Sequence, residues 1–200
     1  MRIKDKNAGS KEKLLAATIE LISSKGFGNT GINEILANAN VTKSNFYYHF
    51  RSKEELCLTA LERMANHFFE KIVGDTLLNS FLSPKARLES YLKKMTENMK
   101  SNCCKCGCPF INVGNETCDF FPAFQEKIAS FFKRYQEVIQ VCYEDGVDVG
   151  EFRDDIQAET IATLILSQIN GTIILTKVFR NPEIIRKNWQ ALFDLISKQK

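Results

Sequence analysis

Four cysteines fall at Cys103, Cys104, Cys106 and Cys108, inside the stretch "SNCCKCGCPFINVGNE" at 101–116. Sulfur at this density suggests a metal site, a reactive thiol, or no chemistry at all. A structural zinc site joins two separated pairs that clamp different segments. Here Cys103 and Cys106 supply one Cys-x-x-Cys pair, the other two crowd the same turn, and a second segment is missing, although Cys118 follows ten residues on. His49 and His67 lie elsewhere in the chain. No metal site is therefore assigned. Cys103, Cys106 and Cys108 are the redox candidates. Cys108 precedes Pro109, a residue favoured at the first helical position, so it sits where a helix dipole stabilises thiolate, and Lys105 adds positive charge. Clustered low-pKa thiols form disulfides or adducts under oxidants and electrophiles. The plainer alternative is that these cysteines act as small hydrophobes on a loop. No nucleophile–base pair, glycine-rich phosphate loop or metalloprotease helix occurs, so no enzymatic activity and no cofactor are expected.

A second set of residues has the types needed to meet nucleic acid. Thr42, Lys43, Ser44 and Asn45 form a polar run, followed by the amphipathic Tyr47, Tyr48 and His49. Lys53 opens the next helix, where backbone amides and a cation together suit a phosphate. Two short helices joined by a tight turn at 31–50 have the dimensions of a helix-turn-helix, whose second helix enters the major groove. Val41 and Phe46 are apolar where the two helices must pack. An ordinary helical hairpin with a polar face fits the same spacing.

The elements that must hold these residues read as helices throughout. Ser10 is placed as the cap of a first helix carrying Leu14, Leu15, Thr18, Ile19 and Ile22 on one stripe, ended by Gly26. Thr30 caps a second and Thr42 a third. Ser52 and Glu55 have the capping-box spacing and open a fourth, which ends near Gly74. Pro84, Pro109 and Pro122 each open a helix, the last closed by Gly146. An apolar helix follows at 155–178, and Asn181 with Pro182 starts the final one. About nine helices with short connections make an all-α protein. Cys57 and Cys142 fall on apolar faces and are expected in the core.

Composition narrows the setting. The net charge is +3, and residues 1–55, with nine Lys or Arg against six Asp or Glu, hold all of it. A small basic module on a neutral body hints at nucleic acid. No apolar run is judged long enough to cross a membrane, and the N-terminus has no signal-peptide core, so the expected compartment is the cytosol, where thiols stay reduced. The fifteen phenylalanines, with Met64, Met95 and Met99, have the character of an apolar pocket lining, with Asn112 and Glu116 as candidate polar anchors.

The stretch "TGINEILANANVTKSNFYYHFRSKEEL" resembles the DNA-binding signature of the TetR family of bacterial transcriptional regulators, with Thr30, Ile32, Ile35, Ala39, Val41, Tyr47, His49, Phe50, Lys53 and Leu56 in register. "LLAATIELISSKGFGNT" resembles the family's first helix and turn, and "GEFRDD" and "GCPFINVGNE" resemble two weaker marks further on. Asn40 departs from the usual turn glycine, Leu36 from a small residue, and Gly31 is a weak helix former.

The resemblance implies an N-terminal DNA-binding domain at 1–55 and a C-terminal ligand-binding and dimerisation domain at 56–200. It implies a homodimer on a palindromic double-stranded operator, more often a repressor, released by a small hydrophobic ligand. Thr30, Thr42, Lys43, Ser44, Asn45, Tyr47, Tyr48, His49 and Lys53 would face DNA. Met64, Phe68, Met95, Cys108, Phe110, Asn112 and Phe131 would face ligand. Ile161, Leu164, Ile165, Gln168, Ile185 and Trp189 would make the dimer face. In this family a cysteine at the position of Cys108 often has no redox meaning. The alternative is a redox, electrophile or metal sensor acting through 103–108.

Overall fold

The computed structural model describes residues 9–101 and 107–198; Cys103, Cys104 and Cys106 lie outside the described residues. Nine α-helices occur among the described residues: α1 Ser10–Lys25, α2 Ile32–Ala39, α3 Lys43–His49, α4 Lys53–His67, α5 Pro84–Ser101, α6 Pro109–Thr117, α7 Pro122–Asp148, α8 Ala158–Phe179 and α9 Glu183–Ile196. A π-helical segment, Phe68–Val73, continues α4. The fold is all-α, as the periodicities require. The chain divides into two compact units, Met1–Ala65 with Pro109–Ile128, and Asn66–Cys108 with Ala129–Lys200. They are interleaved along the chain, whereas a division at residue 55 is sequential.

In the first unit, α1 buries Leu14, Leu15, Thr18 and Ile22 on one stripe. It ends at Gly26, whose φ of +83° is a conformation side chains resist. Two expected caps differ, and a third is met in part. Gly9, not Ser10, occupies the cap position of α1, and Ser10 is the first helical residue. Gly31 caps α2 with extended backbone and no side-chain bond. Thr30 is fully buried instead, and its hydroxyl donates to Gly26 O at 2.6 Å. At α4, Ser52 Oγ accepts from Glu55 N at 3.2 Å as expected, but the Glu55 carboxylate reaches one residue further back, to Arg51 N at 2.8 Å.

In the second unit, Gly146 does not close α7, which runs on to Asp148. Gly146 is small because the Phe152 ring lies on it: a Cβ there would come within 2.1 Å of that ring. The chain then turns at Gly150, with φ +73°. Tyr143 stacks on the same Phe152 ring at 5.2 Å and donates its hydroxyl to Arg153 O at 2.6 Å. Cys57 in the first unit and Cys142 in the second are both buried, and burial pushes each thiol up to about 12. Both are core, as expected.

One expectation about composition is corrected. By length and composition α8 is apolar enough to cross a membrane, with a mean hydropathy of 1.4. Glu159 and Lys177 sit near its two ends, so its middle is long and apolar. Ile161, Ile165, Ile169 and Ile173 are buried within the unit.

Candidate nucleic-acid interface

Local rules build the helix pair. Asn40 ends α2 in the left-handed region, at φ 52° and ψ 51°, where asparagine is the best tolerated residue after glycine. Its N–H and that of Val41 bond back to the last turn of α2, Val41 N reaching Leu36 O at 3.1 Å. Leu36 is accommodated as a core residue. Two residues later Thr42 caps α3, its hydroxyl accepting from Asn45 N at 3.3 Å. The chain therefore reverses in a few residues with its backbone groups satisfied.

Only Phe46 is buried on α3, at 0 % exposure, and Phe50 follows it into the core. Thr42, Lys43, Ser44 and Asn45 are exposed as a continuous polar edge. Tyr47 is 52 % and Tyr48 82 % exposed, which leaves both phenols open to solvent. Hydroxyls, an amide, an ammonium and two phenols on one short helix supply donors for phosphate oxygens and donors and acceptors for base edges.

The remaining expected contacts are partly engaged inside the protein. His49 is half-buried and shares a 2.6 Å hydrogen bond with Ser10 Oγ, pinning α3 to the start of α1. Lys53 is half-buried; its ammonium donates to Phe27 O and Thr30 O, both at 3.1 Å, and lies 3.8 Å from the Phe27 ring centre. It acts as an internal brace with at most one donor left for phosphate. Thr30 is sealed in the core and has no path to DNA. Ser10 and Phe27 escape sequence reasoning because their partners are distant in the chain.

The expected ligand residues fall in both units. Met64, Phe110 and Asn112 belong to the first; Phe110 is buried and the other two half-buried. Phe68, Met95, Cys108 and Phe131 belong to the second. There, Phe68 packs against Phe131 at 5.5 Å and Tyr135 at 5.1 Å. The hydroxyls of Tyr91 and Tyr135 hydrogen-bond to each other in the same cluster. Burial is the main cause that holds both phenols well above their ordinary range, and the nearby Cys108 adds to it. The sequence shows these tyrosines only as members of an apolar stripe. Two surface clefts lie in this unit, one of about 120 Å³ lined by Asn66, Phe69, Glu70 and Arg134, and one of about 240 Å³ that includes Tyr143, Asp148 and Asp154. None of the expected ligand residues lines either.

The expected dimer residues divide by exposure. Ile161, Ile165, Ile185 and Trp189 are core within the unit, and Trp189 Nε1 donates to Thr96 Oγ1 at 3.1 Å. Their helical faces pack inward, so they are not surface contacts. Leu164 is 56 % exposed and Gln168 half-buried. Ile174, Leu175, Val178 and Phe179 on α8 and Leu195 on α9 are the exposed apolar residues that the periodicity did not single out. Among the described residues no group of His, Cys, Asp or Glu is arranged to hold a metal ion.

Comparison with known proteins places both halves. Residues 14–60 match the model of bacterial regulatory proteins, tetR family, and residues 84–192 match that of the tetracyclin repressor-like C-terminal domain. An uncharacterized HTH-type transcriptional regulator in the lacX 3' region of Lactococcus lactis is 32% identical over 189 residues, covering 92% of this chain and 91% of that one. The crystal structure of a regulatory protein TetR from Rhodobacter sphaeroides superposes with a TM-score of 0.87 at 23% identity, covering 94% of this chain and 98% of that one. The reduced form of E. coli NemR gives 0.84 at 21%, covering 95% and 98%.

Proposed function

The chain belongs to the TetR family of bacterial regulatory proteins, which makes it a transcriptional regulator with a DNA-binding helix-turn-helix, and we propose that it is a cytoplasmic repressor released from its operator by a small hydrophobic ligand. The observation that carries the reading is α3: seven residues with one buried anchor, Phe46, and a polar edge from Thr42 to Tyr48 open to a groove. A homodimer places two such helices about 34–36 Å apart on a palindrome. The exposed apolar residues of α8 and α9 are the surface such a dimer would cover. A ligand seated among Phe68, Met95, Cys108 and Phe131 of the second unit releases DNA if it prefers a different spacing of the two helices.

The test is a titration of the DNA upstream of its own gene at several salt concentrations. Lys43→Ala should weaken binding and lower the salt slope by about two, one for each protomer, whereas Lys198→Ala should leave both unchanged. Equal effects at the two sites would refute the assignment of α3.

A second reading is favoured by the place of Cys108. It is half-buried, directly precedes Pro109 at the start of α6, and lies near the Tyr91 and Tyr135 phenols. In that reading a thiol reaction at Cys108 controls DNA binding. Loss of binding after mild oxidation in the unmodified chain, with none in Cys108→Ser, separates it from a purely ligand-driven response.

A further inference from the structure

Residues 26–30 hold more fixed contacts from distant parts of the chain than a connection between two helices requires. Glu116, on α6, accepts a hydrogen bond from Gly28 N at 2.5 Å. A Cβ at Gly26 would overlap Glu116 Oε1, and one at Gly28 would lie 3.3 Å from Oε2. The two glycines thus leave room for one carboxylate. Between them Phe27 is buried, with its ring edge-on to Phe121 at 5.9 Å and Phe124 at 5.1 Å. From the other side comes Lys53, bonded to the carbonyls of Phe27 and Thr30. All these residues belong to the first unit. The segment is gripped between α6 with the start of α7, and the start of α4.

We infer that Glu116 is a positioning residue for the DNA-binding helices. Its carboxylate fixes the 26–30 segment at Gly28. Phe27 and Lys53 carry that restraint to the start of α4, and Thr30 carries it to α2, so both neighbours of α3 are set by α6. The inference rests on the reading of α3 as the DNA-contacting helix.

The experiment uses the full chain with Glu116→Ala and Glu116→Gln, read by amide hydrogen exchange over residues 26–49 and by titration of the upstream DNA fragment. In Glu116→Ala, exchange at Gly28 and along α2 and α3 should speed up about tenfold, DNA affinity should fall about tenfold, and the global unfolding midpoint should barely move. Glutamine keeps a carbonyl acceptor and should restore most of both. Val113→Ala, a buried change on α6, should weaken DNA binding in the unmodified chain and add little in the Glu116→Ala background, because both act through one joint. Unchanged exchange over 26–49 in Glu116→Ala, or fully additive losses with Val113→Ala, overturns the inference. If the unmodified chain fails to bind DNA, the reading of α3 fails, while the exchange result still decides whether Glu116 positions these helices.

Discussion

Two pairs of tyrosines divide this molecule by use. Tyr47 and Tyr48 stand in solvent on α3, while Tyr91 and Tyr135 are sealed in the second unit with their hydroxyls bonded to each other. The first pair leaves its hydroxyls open to solvent. The second satisfies its own inside, where an unpaired hydroxyl is costly. Residue type is the same in both; what differs is whether the face that carries it also carries the core.

Phe46→Ala should cost about 3–5 kcal/mol of unfolding free energy and abolish DNA binding, whereas Tyr48→Ala, on the open face of the same helix, should shift stability by no more than about 0.5 kcal/mol. Denaturant titration of both variants checks this. Next in size is the sealed pair. Tyr135→Phe leaves the Tyr91 hydroxyl without its partner and should cost about 1–3 kcal/mol, while the double change Tyr91→Phe with Tyr135→Phe should cost less than the single one. A double cost equal to the sum of two singles would mean that the hydroxyls are not paired.

Alkaline pH sharpens the same contrast. The buried phenols, and the Cys57 and Cys142 thiols pushed up to about 12, keep their protons in the folded chain longer than in the unfolded one. Their contribution to stability is complete below the ordinary thiol value of 9.0 and is lost as pH rises from there through the raised values. The denaturant midpoint should therefore fall steadily above about pH 9. The double phenylalanine variant should fall less steeply at the upper end. The smallest effect lies in the turn before α3: Asn40→Gly should stabilise by a few tenths of a kcal/mol, and Asn40→Ala should destabilise by about 1 kcal/mol. Thermal melts of the two variants give the sign directly.

The helix pair was legible because its rules are local. The left-handed Asn40, the Thr42 cap, the buried Phe46 and the polar edge can all be read within a dozen residues. The same locality explains the misplacements at Ser10 and Thr30. Each has a cap's chemistry, yet each is drawn to a partner, His49 and Gly26 O, that a cap rule cannot foresee. Lys53 matched a phosphate contact by type, but its ammonium is committed to two carbonyls twenty-odd residues earlier. In the second unit the helices were legible and their faces were not. Gly146 has a cap's identity and is instead a seat for the Phe152 ring. Helix α8 is apolar on nearly every side, so periodicity could not separate Ile161 and Ile165, which are core, from Leu164 and Leu175, which are not. The phenol pair joins residues 44 apart and leaves no local trace.

The π-helical segment at Phe68–Val73 bears on how much the chain length can vary. Each i→i+5 ring encloses one residue more than an α-turn, so the segment holds a surplus residue without disturbing the helical phase before it. Removing one exposed residue there, such as Glu70, should let the segment relax into an ordinary α-helix with Phe69 and Val73 moved one step closer in register. The deletion would be taken up by winding rather than by a loop, and the one-residue-shorter chain should still fold.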